Sequence, residues 1–480
     1  MRVEFLTSSS PSKALDQNQA SLINMFIEQG SKLGRYETYA LPTPGWGSAF
    51  TTLAAGSVVR GLFEHNDVLY AVAANKFYSI ASNGTATERG TLSTSTGRVY
   101  FTGIVDYLII TTGTNGYTYV PSTTTFAQIA DADFPQTATS VVDLDEYAIV
   151  TKASSNQFQI SSAGNPTAWA SADTAAITSN SGNISRVIVN RHLLWFFGPY
   201  SAEIWFNSDA ATFPFERVEG TDIDYGLAAK DSLVSTDNNL IFLGQSQQGG
   251  PLVLHMDSYS PSIISTPEIN TKFGTYTTVS DAFAFVYAQD GHSFYVLTFP
   301  TENVTWVYDI TTKTWHERQS DLGSGTYGRW RPNCYAYCYG KYLVGDYNSG
   351  AIYNLSTTTY QENSTNIRRR LVTPIFSLNE SRYTINKFQL VLESAVASSP
   401  EFDLEVSRNA GRTFGTAITK NLGTTTDYGK RIIYDRLGQC RTCVFRITTT
   451  MNAKFMLLGA QIQITLQDQQ DDLKSTTETS

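Results

Sequence analysis

The sequence predicts an all-β protein: a β-propeller of about seven blades followed by a small antiparallel β-sandwich. Between residues 68 and 355 one phrase recurs seven times, an apolar strand, a small-residue turn and an aromatic-rich strand. Measured from Leu69 through Leu108, Tyr147, Leu193, Leu240, Phe294 and Tyr342, the spacings are 39, 39, 46, 47, 54 and 48 residues. A period of ~40–50 residues with several short strands per unit is that of a propeller blade. Beyond residue 361 the pattern becomes apolar–polar alternation, the mark of antiparallel strands with one wet face.

Residues 1–55 read as an N-terminal extended segment without a period. SLINMFIE at 21–28 fits either a helical turn or a strand, and the prolines and glycines of LPTPGWG at 41–47 argue against regular structure there. The propeller spans 56–361. Its recurring hairpins open with VLYAV (68–72), YLIITT (107–112), YAIVT (147–151), LLWFF (193–197), LIFLG (240–244), FYVLT (294–298) and YLVGD (342–346). The partner strands begin at Phe77, Tyr117, Phe158, Glu203, Leu252, Thr305 and Ala351. A third strand follows, as in STTTFAQIA (122–130) and TTKTWHERQ (311–319), and either 48–56 or 272–280 is available to close the ring. The longer periods of blades five to seven hold insertions such as SQQGGP (246–251), which must project from the rims, where contacts are made. Residues 362–370, polar and then basic, read as a linker, 371–467 as the sandwich, and 468–480 as a disordered tail with nothing to bury.

The net charge of −9 argues against a nucleic-acid coat protein, which needs lysine and arginine to displace phosphate counterions, and against an anionic membrane as partner. The first residues lack the basic-then-apolar order of a signal peptide, and no apolar run is long enough to span a bilayer, so synthesis in the cytoplasm without a membrane anchor is expected.

Motifs for catalysis are absent: there is no GxSxG, HExxH, P-loop or GxGxxG opening a helix. Four cysteines, Cys334, Cys338, Cys440 and Cys443, have near-zinc spacing. Cys334 and Cys338 read as lying in one aromatic strand, and Cys440 and Cys443, three apart where a strand begins, would face opposite ways, so reduced structural thiols are expected and no metal or cofactor. His65, His192, His255, His292 and His316 are scattered and read as turn or rim residues. Asp222 with Asp224, and Asp143 with Asp145, place two carboxylates on one strand face; a glycosidase needs such a pair across a sugar bond, whereas an exposed strand carries them with no chemistry. SRNAGRTFG (407–415) is similar to the Asp-box hairpin of sialidases, with Asn409 closing a turn on backbone and Gly411 supplying positive φ, a folding device. Arg368, Arg369 and Arg370 form the one dense basic run; the readings are an exposed charged linker or a contact with an acidic neighbouring subunit.

Residues 202–269 carry, in order, E-I-W-F-N-S, F-P-F-E-R-V-E-G, D-Y-G-L-A-A, S-L-V, N-N-L-I-F-L-G and I-S-T-P-E-I. This series resembles the packaged-DNA stabilisation proteins, or tail hub and nozzle proteins, of short-tailed bacteriophages. N-M-F-I-E (24–28) with L-P-T-P-G-W (41–46), and R-L-G-Q-C-R (436–441) with A-Q-I-Q-I (460–464), extend the likeness over nearly the whole chain. The resemblance implies a structural protein of the virion tail with no enzymatic activity and no cofactor. It implies a homo-hexameric ring below the portal and its adaptor ring that closes the DNA exit channel, retains the genome and carries tail fibre, spike or needle proteins. Packaged double-stranded DNA would pass without specific binding, which suits a net acidic wall. The alternative reading is a carbohydrate-binding or -cleaving phage propeller using Asp222 and Asp224.

Overall fold

The structure, a computed structural model, describes residues 2–3, 6–12, 20–30, 36–178, 182–221, 223–378, 381–393, 400–428 and 430–467. The tail 468–480 and Asp222 lie outside the described residues. Seven antiparallel blades follow one another along the chain. Blade 1 is Val59–His65, Val68–Ala73, Lys76–Ile80 and Ala86–Thr91, paired in that order. Blades 2, 3 and 4 repeat the meander from Tyr100–Ile104, Ala138–Leu144 and Arg186–Asn190. Blade 5 is built on the long pair Asn239–Ser246 and Gly249–Asp257, and blade 6 runs from Phe283–Gln289 to Thr314–Asp321. In blade 7, Pro332–Cys338, Lys341–Asp346 and Ala351–Leu355 are completed by Thr51–Thr52 from the N-terminal segment. Of the two stretches available to close the ring, the first does so, because Thr51 and Thr52 pair with Ile352 and Ala351. The second instead begins in the last turn of a short helix, Pro267–Phe273, capped by the Thr266 side chain.

All seven predicted hairpins are adjacent antiparallel strands, and each is the middle pair of its blade. They were visible because a middle strand has a neighbouring blade on each face, so its apolar run is continuous rather than alternating. Phe77 meets Tyr119 edge-on at 5.3 Å between blades 1 and 2, and Phe158 stacks on Phe196 at 4.2 Å between blades 3 and 4.

The innermost hairpins share one device. Their two-residue turns put positive φ at both positions in Asn66–Asp67, Asp145–Glu146, Arg191–His192, Asp237–Asn238, Asp290–Gly291 and Tyr339–Gly340. This is the type I′ geometry whose twist matches the flanking strands. In blade 2 a β-branched residue, Val105, holds φ 51° and is exposed, a strained choice. Val105→Asn is expected to stabilise the protein by about 1 kcal/mol; an unchanged or lower denaturation midpoint would show that this turn stores no strain.

The alternating stretch folds as a sandwich: Tyr383–Leu392, Ile432–Cys440 and Leu457–Leu466 lie in one sheet, Glu401–Ser407 and Thr442–Thr449 in the other. The N-terminal segment ties it to the propeller. Ser21–Ile23 pairs in parallel with the outer strand of blade 6 and antiparallel with Arg369–Val372, making blade 6 and one sandwich sheet a single sheet. Met25–Gln29 and Thr38–Pro42 then join the other sandwich sheet. SLINMFIE is therefore two strands, and the expectation of irregular structure at 41–47 fails for Leu41 and Pro42, which end a strand. The linker expected at 362–370 is also corrected: Gln361–Glu362 and Thr365–Asn366 form a hairpin, and Arg369 begins the strand at the centre of the shared sheet.

Candidate functional site: the junction and the closed propeller axis

Asn24 lies where the chain turns from one sandwich sheet to the other, at φ 54° and buried. Asparagine tolerates that conformation better than other side-chain-bearing residues. Its amide nitrogen donates to the carbonyls of Gln319 (2.9 Å) and Arg368 (2.8 Å), and its amide oxygen accepts from the Gln319 backbone (3.0 Å). One side chain thus joins blade 6, the N-terminal segment and the sandwich strand. Asn24→Ala is expected to cost about 3 kcal/mol, from three lost buried hydrogen bonds of ~1 kcal/mol each; a shift in denaturation midpoint below a third of that would refute the pivot role.

The LPTPGW stretch is the strap beside it. Gly45 and Trp46 donate from their backbones to Thr359 and Gln361 at 2.8 Å, and a Cβ on Gly45 would stand 2.1 Å from the Gln361 carbonyl oxygen. Trp46 stacks on Tyr353 at 5.2 Å. Two fully buried arginines grip the same strap. Arg318 donates to the Pro44 carbonyl (2.7 Å) and lies 3.6 Å from the Trp330 ring centroid. Arg369 donates to the carbonyls of Thr43 (3.1 Å), Ile367 (3.2 Å), Tyr360 (3.3 Å) and Met451 (2.8 Å). Burial pulls the Arg369 guanidinium down to about 10 and pushes the nearby Glu362 carboxyl up to about 7.

The triple arginine is therefore split by the fold. Arg369 is interior and holds the two domains together, which corrects both the exposed-linker reading and its candidacy as a subunit contact. Arg368 and Arg370 are half-buried. Arg368 lies 3.3 Å from the centroid of the Tyr327 ring and donates to Gln319 (2.7 Å). Alternation along a strand sends the middle residue inward and its neighbours outward.

On the far side of the strap, His292 is clamped between two carboxylates. Its Nδ1 is 2.7 Å from Asp309 Oδ2 and its Nε2 is 2.8 Å from Glu28 Oε2. Those hydrogen bonds, Asp309's first, outweigh burial and raise His292 to about 9. His316 is also buried, and burial drives it down to about 3, with neither ring nitrogen hydrogen-bonded among the described residues. The turn-or-rim expectation thus fails for these two and fits His192, which sits in a blade turn.

The propeller axis is shut. Tyr100 of blade 2 donates across it to Asp231 at blade 5. Arg98, entering blade 2, donates to the Asn333 carbonyl of blade 7 (2.8 Å) with its guanidinium 3.8 Å from the Phe283 ring centroid of blade 6. Arg186 reaches the Lys230 and Leu233 carbonyls at 3.2 and 3.0 Å. These residues stand where the inner strands begin. At the opposite ends lie the hairpin turns with Asp67, Asp106, Asp145, Glu146, Asp237 and Asp290 against one arginine, Arg191, so one face has Arg98 and Arg186 around Asp231 at its centre and the other a mainly acidic crown.

The remaining candidates lie apart from the junction. Asp143 accepts from Thr102, while Asp145 sits in a turn against His192 (3.1 Å) and Asn207 (2.8 Å). Asp224 is exposed beside a cleft between blades 4 and 5. Asn409 accepts from the Thr413 backbone (2.9 Å) and Gly411 has φ 85°, the expected Asp-box turn. All four cysteines are free and buried. Cys440 and Cys443 are not on one strand: the chain crosses between the sandwich sheets there, and both thiols enter the core near Tyr383. No group of three or more metal-ligating side chains occurs among the described residues.

Profiles described as bacteriophage P22 Gp10, beta-propeller, and bacteriophage P22 Gp10, beta-sandwich, match residues 2–360 and 368–465. The chain belongs to the bacteriophage P22 Gp10 family. It is a structural protein of the phage tail and not an enzyme, which removes the sugar-cleaving alternative. The boundary between the two profiles falls on the hairpin and arginine run of the junction. No curated protein matches the sequence. Among solved structures, the computationally designed Ika8 protein is similar at 11% identity and TM-score 0.37, covering 64% of this chain and 99% of that one. The extracellular domain of BT4673 from B. thetaiotaomicron is similar at 10% identity and TM-score 0.45, covering 79% and 48%. YCF48 bound to D1 peptide is similar at 11% identity and TM-score 0.41, covering 66% and 99%.

Proposed function

We propose that this Gp10-family protein is the hub or nozzle of a short-tailed phage. A ring of six copies below the portal and its adaptor closes the DNA exit, retains the genome and carries fibre, spike or needle proteins until ejection. Family membership over both domains carries the reading. The closed axis supports one refinement. Side chains of opposite blades touch across the propeller centre, whereas a single DNA groove is ~12 Å wide, so duplex passes between subunits and not through a propeller. The acidic turn face is the surface best suited to line that passage, since it repels phosphate and retains DNA by constriction without gripping it. The shared sheet supports a load-bearing part, because it leaves no flexible linker between the domains.

Electron microscopy of whole particles tests this: density for the chain on the tail axis, six-fold, with the acidic turns toward the bore, is expected. Density away from the axis would overturn the assignment. In light scattering the free chain is expected to be monomeric or weakly associated and to form rings on the adaptor, so that the exit closes only after packaging.

A further inference from the structure

We propose that the cleft between blades 4 and 5 is a binding site for a neutral carbohydrate, a role separate from ring assembly. Its volume is about 330 Å³, and it is lined by Tyr200, Ser201, Asp224, Ser246, Gln247 and Gln248. That volume falls in the range of small-ligand sites, ~300–1,000 Å³. The lining selects the ligand class. It offers two hydroxyls, two primary amides, one carboxylate and one phenol ring, with neither a cationic nor an aliphatic side chain. Phosphate and acidic sugars would find no counter-charge and would meet Asp224. An apolar ligand would find too little apolar wall. A sugar ring matches the set, since its vicinal hydroxyls accept hydrogen bonds from the amide N–H groups and donate to the carboxylate while its C–H face packs on tyrosine.

The walls are built. Gln247 and Gln248 cap a hairpin, closed by Ser246 and Gly249, that carries the paired strands of blade 5 beyond the five or six residues usual in blades 1 and 2. This is the SQQGGP insertion, and it projects from the rim. The turn bearing Tyr200 is pinned on two sides. Leu227 donates to the Gly198 carbonyl at 2.9 Å, and Gln245 Nε2 donates to the Pro199 carbonyl at 3.2 Å. Gly226 lets the D-Y-G-L segment press on that turn, because a Cβ there would come within 2.2 Å of the Tyr200 backbone nitrogen. Asp224 is fixed next to Ile223, whose carbonyl accepts from the Ala202 backbone at 3.0 Å. Recognition groups held by backbone contacts lose little freedom on binding, which is how a shallow polar site gains affinity.

The full chain is titrated by saturation-transfer NMR with maltotriose, chitotriose and trigalacturonate. The first stands for neutral hexose polysaccharide, the second for N-acetylhexosamine glycan such as the cell wall, the third for acidic polysaccharide. Binding of a neutral trisaccharide is expected with a Kd on the order of 1 mM, and whichever one binds names the source. Tyr200→Ala and Asp224→Asn, both at exposed positions, are each expected to weaken it by about tenfold with unchanged melting temperature. The proposal is overturned by the absence of transfer to either neutral sugar at ~20 mM, by binding that survives both substitutions, or by equal binding of trigalacturonate.

Discussion

Arg369→Ala is expected to be among the most destabilising single changes in the protein, costing about 5 kcal/mol. The guanidinium is fully buried and serves four backbone carbonyls, of Thr43 in the strap, Tyr360 just before the hairpin, Ile367 just after it, and Met451. Each acceptor left without a partner in the interior costs ~1–3 kcal/mol, and the cavity adds to that. The buried charge itself carries a desolvation penalty that the substitution relieves, which keeps the total below the simple sum. The joint variant Arg368→Ala with Arg370→Ala is expected to fold with a loss nearer 1 kcal/mol, since both side chains reach solvent. Denaturant unfolding of the two variants decides the matter. If the double variant were the less stable, the division of the run into one interior and two boundary residues would be wrong. The double variant is also the sound probe of subunit contact: weaker incorporation into particles at normal stability would assign that role to Arg368 and Arg370.

A comparable loss, about 3–5 kcal/mol, is expected for His292→Ala, because it leaves Asp309, fully buried, and Glu28 facing each other without the imidazolium between them. The pH dependence has a definite sign. His292 is raised from 6.5 in the unfolded chain to about 9 in the fold, a difference that corresponds to about 3 kcal/mol. That stability is complete below pH ~6.5 and is lost as pH climbs through ~9. Asp309 answers in the other direction. Burial alone would raise its carboxyl, but hydrogen bonds from His292 and Thr312 hold it below the usual value, so its share is lost on acidification. The parent protein is therefore expected to weaken between pH 6.5 and 9 relative to His292→Gln, whose side chain does not titrate. Parallel stability curves across that window would refute the clamp.

The middle strands of the blades were legible because both their faces are buried, which writes an apolar run on the sequence whatever surrounds it. Three of the inner hairpins were marked as well, by D-N, D-G and Y-G pairs, yet their strands are more mixed and the repeat was read from the middle pair alone. The helix at 267–273 also carried a signal, threonine then proline at its start, inside a stretch read only as part of a motif. Cys440 and Cys443 were misread because a strand that changes sheets looks, locally, like one that continues.

Local pattern by itself determined the succession of blade hairpins and the antiparallel sandwich, since strand burial and turn chemistry act over a few residues. Only the tertiary structure decided how the parts are joined. Asn24 meets Arg368 across 344 residues of chain, and Ser8 meets Trp315 across 307. No periodicity encodes such pairings: a polar residue in a short strand reads the same whether it will face water or close a buried network. That is why Arg369 read as surface charge, and why its burial depends on carbonyls brought to it by the N-terminal segment, blade 7 and the sandwich together.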